Sequence, residues 1–161
     1  MSLGNWSKGT GSFEIKEWAI NPSDNLVTNG TFDSTDNWDI TGGDAAWSIN
    51  NGKAILSDSS NQSWMTQSDI LTIGHRYRVE FTIESGDNEA VKIGSSVTNY
   101  YISQGTGKQV AEFTHYGGIS NLYIYGSGGS TAVIDNISLV ELPPLPTWSS
   151  GQKYLEATSD G

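Results

Sequence analysis

Residues 76–84 read RYRVEFTIE, and the pattern of polar and apolar residues in them indicates the class of fold. Every second side chain in it is apolar: Tyr77, Val79, Phe81 and Ile83. Because successive side chains of a β-strand point to opposite faces, the alternation predicts a strand with one dry face and one wet face. Such strands are typical of antiparallel sheets that cover a core on one side and meet water on the other.

Shorter alternating runs lie on both sides of this stretch, and clusters of Gly, Asn, Asp and Ser separate them. One separator is Asn51-Gly52, which predicts a type I′ hairpin turn because both central positions need a positive φ. The last run covers residues 131–142 and ends before Pro143, since proline cannot donate a ladder hydrogen bond. Helical periodicity with capping residues is hard to find, so the sequence predicts an all-β protein.

The organisation predicted is one domain of residues 25–142 between two extended arms, residues 1–24 and 143–161. Each arm is too small to fold alone. Two interpretations of the arms stay open: a linker or edge strand laid on the domain, or a segment that orders on a partner. In the second case the docking residues are Trp6, Trp18 and Trp148.

The charge balance excludes several kinds of partner. Eight Lys and Arg face 18 Asp and Glu, a formal net charge of −10, which repels phosphate backbones and anionic lipids. We therefore expect no nucleic-acid binding. No apolar run suits membrane insertion or the core of a signal peptide, although residues 1–3 could be a vector remnant that replaced a leader. Cysteine is absent, so the fold needs no disulfide.

Several stretches resemble carbohydrate-binding modules of families four and nine. NLVTNGTFD at residues 25–33, followed by Trp38, is similar to the opening signature of these families. NQSWMTQSD at residues 61–69 and IGHRYRV at residues 73–79 resemble the middle, and VIDNISL at residues 133–139 resembles the closing strand. The resemblance implies a two-sheet antiparallel β-sandwich of the jelly-roll type, which also occurs in bacteriophage tail, fibre and capsid-decoration proteins. The residues expected inside this sandwich are Phe32, Trp38, Trp47, Met65, Tyr77, Val79, Phe81, Ile83, Ile137 and Leu139.

A structural metal is a further implication of the resemblance, which places a Ca²⁺ at Asp33 and Asp135. By strand parity Asp135 shares the inward face of Ile137 and Leu139, where a carboxylate needs partners. These families usually close with two adjacent acidic residues, whereas Asn136 follows Asp135 in this chain. The alternative without metal is that Asp135 accepts hydrogen bonds from loop N–H groups.

Aromatic side chains supply the candidate ligand site. Trp64 has parity opposite to Met65, so it is expected to face outward. The same argument applies to Tyr123 and Tyr125, which alternate with core residues. Exposed rings suit the apolar face of a sugar, and the hydrogen-bonding groups predicted beside them are Gln67, Asn99 or Asn121. The open alternative is that the second sheet, the N-terminal arm or a neighbouring subunit covers the rings.

Catalytic motifs are not found, so no catalytic residue is assigned. The sequence has no G-x-S-x-G elbow, and GTGKQ at residues 105–109 is typical of a turn rather than a phosphate loop. His75 and His115 lie in predicted turns and are expected to be solvated. Paired carboxylates for glycoside hydrolysis stay open as an alternative, because 18 acidic residues offer many pairs and nothing selects one.

The sequence therefore favours a binding or assembly protein over an enzyme. The first hypothesis is a bacteriophage virion decoration, fibre or tail component at the virion surface, whose arms dock on other virion proteins or on copies of itself. The alternative is an extracellular glycan-binding module of a secreted bacterial protein or glycosidase. The two are compatible, since a surface decoration can also bind cell-surface or environmental glycans.

Overall fold

Two five-stranded antiparallel sheets face each other across one core. The computed structural model describes residues 7–8, 11–12, 24–58, 60–96 and 99–144. Across the first sheet the strands are β10 (Gly107–Thr114), β7 (Arg76–Gly86), β12 (Ala132–Leu142), β5 (Lys53–Leu56) and β4 (Trp47–Asn50). Across the second sheet they are β3 (Asp39–Gly43), β6 (Ser63–Gln67), β11 (Leu122–Gly126), β8 (Val91–Ser96) and β9 (Asn99–Ile102). The strands β1 (Ser7–Lys8) and β2 (Gly11–Ser12) form a separate pair.

The all-β sandwich predicted from the sequence is confirmed. β7 is the long central strand of the first sheet, and its burial alternates residue by residue as residues 76–84 predict. Every residue expected inside is buried, including Phe81 at 1% exposed. Across the core, Phe81 meets Tyr101 of the second sheet edge to face, with ring centroids 6.4 Å apart. Both sheets therefore share one core.

The turn between β4 and β5 forms as the Asn51-Gly52 pair predicts. Both residues have positive φ, 51° and 71°. Asn50 and Lys53 are register partners on either side of the turn. A type I′ geometry matches the natural twist of the two strands, so this pair fixes the register of the hairpin.

A β-bulge in β12 reverses the predicted orientation of Asp135. Asn136 has a φ of 53°, and the register with β7 shifts between Asp135 and Ser138. Asp135 therefore aligns with Thr82, which alternates with the buried Phe81 on β7 and so lies on the outer face of the first sheet. The expectation that Asp135 shares the inward face of Ile137 is wrong, because an extra residue inverts strand parity.

Two loops are joined at one end of the sandwich. The β6–β7 loop, residues 68–75, and the β10–β11 loop, residues 115–121, exchange backbone hydrogen bonds. Gly74 N donates to His115 O at 2.8 Å, and His115 N donates to His75 O at 3.0 Å. Ile70 and Leu71 both donate to Ser120 O at 2.9 Å. The two loops therefore form one continuous surface.

His115 lies beneath this joined surface and is completely buried, so the expectation of a solvated ring is wrong. The backbone bonds on both sides of His115 hold the residue against the neighbouring loop and turn its ring inward. Among the described residues, neither ring nitrogen has a hydrogen-bond partner. Burial lowers the pKa of this imidazole, because the charged form loses its hydration. His75, in contrast, is largely exposed and contacts Glu141 at 2.8 Å.

Candidate functional site: an aromatic patch on the second sheet

Three aromatic rings meet on the outer face of the second sheet. Trp64 on β6 and Tyr125 on β11 are register partners, with ring centroids 6.2 Å apart. Tyr123 lies two residues before Tyr125 on the same face, and their rings stack at 5.2 Å with planes 6° apart. We call Trp64, Tyr123 and Tyr125 the aromatic patch. The structure thus brings together the three rings that strand parity predicted to face outward.

Glycine in the neighbouring strand allows Trp64 to lie flat on the sheet. A Cβ at Gly42 of β3 would lie 2.0 Å from Nε1 of Trp64. A Cβ at Gly43 would lie 2.8 Å from the six-membered ring, and Gly43 also has a positive φ of 63°. The indole therefore covers backbone that no other side chain occupies, which fixes the ring against the sheet.

Tyr125 lies at the centre of the aromatic patch and is only 3% exposed, so the prediction of an exposed ring is wrong for this residue. Trp64 and Tyr123 flank it and are partly buried, which leaves these two as the accessible rings. Burial, together with a smaller contribution from Tyr123, raises the pKa of Tyr125 to about 12. Its hydroxyl group is therefore neutral across the physiological range and able to donate as well as accept a hydrogen bond.

Gln67 does not lie beside the rings. It pairs with the core residue Leu122 and is 2% exposed, on the inner face of the second sheet. Its amide is engaged with Thr28: Oε1 accepts from Thr28 N at 3.1 Å, and Nε2 donates to Thr28 O. Gln67 thus anchors the segment before β3, and the prediction that it donates to a ligand is corrected. Asn121 is partly buried immediately before β11, whereas the side chain of Asn99 lies outside the described residues.

Sequence reasoning missed two polar residues at the edge of the same face. Asp39 pairs with Thr66, which in turn pairs with Tyr123, so the three residues form one row across the second sheet. Thr41 donates to Asp39 Oδ1 from its hydroxyl at 2.7 Å and from its N–H at 2.9 Å. These hydrogen bonds lower the pKa of the Asp39 carboxyl. Because the register of β3 with β6 shifts between Asp39 and Gly42, the two-residue spacing of Asp39 and Thr41 does not by itself place both on one strand face.

A cation also belongs to this face. Lys92 of β8 is the register partner of Tyr125, on the side opposite Trp64. The row Trp64, Tyr125, Lys92 therefore runs parallel to the row Asp39, Thr66, Tyr123. Adjacent strands lie roughly 4.8 Å apart, so each row spans about 10 Å, the scale of one or two sugar rings.

In the structure, each of the two predicted metal residues has hydrogen-bond partners of its own. Asp135 Oδ2 accepts from Lys53 Nζ and from Asn136 Nδ2, at 2.6 Å and 2.9 Å, while Oδ1 accepts from Asn136 N at 2.7 Å. Asp33 is exposed and accepts from Thr31 Oγ1 at 2.7 Å. Among the described residues, no three acidic, histidine or cysteine side chains cluster as metal ligands. Asp135 thus fits an ammonium partner rather than a ring of oxygen ligands, and the calcium ion stays a prediction of the resemblance alone.

Three predicted residues cannot be placed. Trp6, Trp18 and Trp148, the predicted docking anchors of the arms, lie outside the described residues. In the part of the chain that the structure describes, no helix is long and apolar enough to span a bilayer.

Comparison with known proteins shows a likeness in fold. No family model matches the sequence, and no curated protein matches it. The solved structures that it resembles include the enzymatically active domain of tailspike protein 4 from bacteriophage CBA120, with 17% identity and a TM-score of 0.48 over 76% of this chain. The matched part is 22% of that tailspike chain.

Carbohydrate-binding modules are also among the similar structures. A family 61 module in complex with β-1,4-galactotriose has 18% identity and a TM-score of 0.44, covering 73% of this chain and 99% of the module. A family 4 module has 16% identity and a TM-score of 0.44, covering 71% of this chain and 99% of the module. The two-sheet β-sandwich is established by the strand order of this chain itself, and at these identities and TM-scores the likeness concerns the arrangement of strands only.

Proposed function

We propose that this chain is a non-catalytic glycan-binding domain and that the aromatic patch receives the sugar. The observation that carries the proposal is the geometry of the patch: Trp64 and Tyr123 are accessible on either side of a buried Tyr125. The C–H faces of a pyranose pack well on such rings, which a polar solvated sheet surface does not offer. Fixed rings also lose little rotamer entropy on binding.

Polar groups around the patch supply the hydrogen bonds that a sugar needs. Asp39, in the same row as Tyr123, offers an exposed carboxylate whose lowered pKa keeps it a hydrogen-bond acceptor. Sugar hydroxyls donate well to carboxylates. A few polar groups around an apolar surface are typical of sites that bind small molecules without transforming them.

The decisive experiment compares two tyrosine variants in a polysaccharide-binding panel. Tyr123→Ala removes an accessible ring of the patch and should weaken binding at least tenfold, since hot-spot aromatics contribute about 2 kcal/mol or more. Tyr116→Ala is the matched control, because Tyr116 is 78% exposed and lies on the β10–β11 loop rather than on a strand of the second sheet. Equal affinities for both variants, or no binding to any glycan by the unmodified protein, would refute the proposal.

The absence of catalysis has its own test. A binding domain leaves the polysaccharide intact, so prolonged incubation with each glycan it binds should release no new reducing ends. Measurable release that survives repurification would instead favour the hydrolase alternative.

We further propose a bacteriophage particle as the setting, with the domain on the virion surface and the arms docked on other virion proteins or on further copies of the chain. The net charge of −10 supports an outward-facing surface, because it disfavours contact with packaged nucleic acid. Apolar anchors in both arms, Trp6 and Trp18 on one side and Trp148 on the other, support attachment. Deleting residues 1–20 or 146–161 should each reduce incorporation into particles. Normal incorporation of both truncated proteins would favour the extracellular glycan-binding module.

A further inference from the structure

An exposed apolar surface lies at the end of the sandwich where the two loops join. The described residues include four large hydrophobic side chains that are strongly exposed, and three of them are on these loops: Ile73 at 60%, Tyr116 at 78% and Ile119 at 58%. Ile73 and Tyr116 are next to the Gly74–His115 bond, and Ile119 precedes Ser120, which accepts from Ile70 and Leu71. We call these three residues the end-loop patch.

The end-loop patch is held in place from below. Thr72 N donates to the hydroxyl of the buried Tyr77 at 2.7 Å, which ties the β6–β7 loop to the core. The buried ring of His115 fills the space beneath the β10–β11 loop. A surface that is already ordered loses little entropy when it binds, so exposed apolar groups on it are suited to docking.

The C-terminal tail leaves the sandwich beside this patch. β12 ends at Leu142, whose register partner is Arg76, only three residues after Ile73. The neighbouring Glu141 contacts His75 at 2.8 Å, which brings the end of β12 against the β6–β7 loop. Ile73 is therefore within roughly 16 Å of Leu142, from about 11 Å along three residues and about 5 Å across the strand pair.

The sequence after Leu142 has the reach and the composition to cover the patch. Pro143, Pro144 and Pro146 favour a polyproline II segment of about 3.1 Å per residue, so Trp148 can lie about 19 Å from Leu142. Residues 145–161 also contain the apolar side chains Leu145, Tyr154 and Leu155. The tail is therefore long enough to reach the end-loop patch, and its apolar side chains suit the apolar surface there.

The small size of the patch favours a tethered occupant over a second molecule. Three side chains offer a few hundred Å² at most, whereas stable complexes between separate proteins bury about 1,200–2,000 Å². A segment of the same chain binds at an effective concentration near the millimolar range, so a small contact suffices. We propose that, in the chain without a bound partner, residues 145–161 dock on the end-loop patch of the same chain, with Trp148 as the anchor.

Disulfide trapping in the full chain tests this docking cleanly, because the chain has no cysteine. The test protein carries Ile119→Cys and Thr147→Cys, which place one thiol on the patch and one next to the anchor. The control carries Val110→Cys with the same Thr147→Cys. Val110 is 42% exposed and pairs with Glu80, so strand spacings place it roughly 17 Å from Leu142, within the about 19 Å that the tail up to Trp148 can span.

Docking predicts that the Ile119 pair closes an intramolecular disulfide at least about tenfold faster than the Val110 pair under mild oxidation. Adding Trp148→Ala to the Ile119 pair should remove most of this difference. Equal rates for the two pairs would overturn the proposal. A disulfide that forms mainly between molecules would also overturn it and would identify a second copy of the chain as the occupant.

Discussion

The outer faces of the two sheets have opposite characters. The first sheet is covered by ion pairs: Lys53 with Glu84 and Asp135, Arg76 and Arg78 with Glu112, and Lys108 with Glu80. The second sheet presents the aromatic patch. Side chains alternate between the inner and outer face along the strands of both sheets, so the fold alone does not determine which outer face binds a ligand. The side chains that the alternation turns outward make the difference.

The contrast shows how one small sandwich can keep the outer face of its first sheet solvated and leave the outer face of its second sheet open to a ligand. Opposite charges on neighbouring strands satisfy each other on the first sheet, which leaves little apolar surface for a partner there. On the second sheet, Gly42 lets a large indole lie against the backbone, and the partly buried rings of Trp64 and Tyr123 flank the buried Tyr125.

Phe81→Ala should destabilise the domain most, because both sheets depend on the core that Phe81 fills. Removing a ring that is 1% exposed leaves a cavity and should lower the free energy of unfolding by roughly 3–5 kcal/mol. Urea denaturation followed by circular dichroism measures this change. Val110→Ala, at a 42% exposed position of β10, should cost far less. Similar losses of stability in both variants would mean that Phe81 contributes no more than an exposed residue, which would contradict a core that it fills between the two sheets.

The core could be predicted because its signals are local. The alternation in residues 76–84 and the positive φ that Asn51-Gly52 favours are properties of short segments. The structure confirms both predictions. Asp135 was misplaced because a bulge at Asn136 depends on tertiary packing, and strand parity cannot be counted across it.

The candidate site was predictable only in part. Trp64, Tyr123 and Tyr125 follow from parity, but the burial of Tyr125 depends on how three rings pack together. Gln67 was a different failure, since counting from Trp64 already placed it on the inner face. His115 is buried because hydrogen bonds join two loops that are distant in sequence, and no local sequence pattern predicts these hydrogen bonds.

Gly42→Ala should disturb the second sheet without touching the first. Its Cβ would lie 2.0 Å from Nε1 of Trp64, so the indole has to move away from the sheet. Overpacking of this kind costs about 1–3 kcal/mol, and the displaced ring should also reduce glycan affinity and shift tryptophan fluorescence. Gly118→Ala is the matched control, because nothing lies within 4 Å of its Cβ. Unchanged fluorescence in Gly42→Ala would contradict the flat packing of Trp64.

Acidification should loosen the joined loops through His115. Burial lowers the pKa of this imidazole in the folded protein below its ordinary value of 6.5, so the unfolded chain binds more protons as the pH falls. Stability is therefore full above about pH 6.5 and decreases as the pH falls below it, before most carboxylates titrate. Urea midpoints between pH 7.5 and 5 measure the loss. His115→Gln should flatten this part of the curve, and an equal slope in the variant would place the pH dependence elsewhere.

Chelation should have the smallest effect, because the first sheet already supplies a cation where the resemblance predicts calcium. The Lys53 ammonium contacts Asp135 and Glu84 at 2.6 Å each. Its hydrogen bond to Asp135 raises the pKa of Lys53 most, and its hydrogen bond to Glu84 raises it further. A divalent ion on the same carboxylate would meet this positive charge at close range. We therefore expect the melting temperature to stay unchanged when a chelator is added to the unmodified protein. In Lys53→Met the carboxylate of Asp135 loses its ammonium partner, so added Ca²⁺ should raise the melting temperature of this variant more than that of the unmodified protein. A chelator-induced fall in the unmodified protein, removed by Asp135→Ala, would instead establish the calcium site at Asp135 and show that Lys53 yields to the ion.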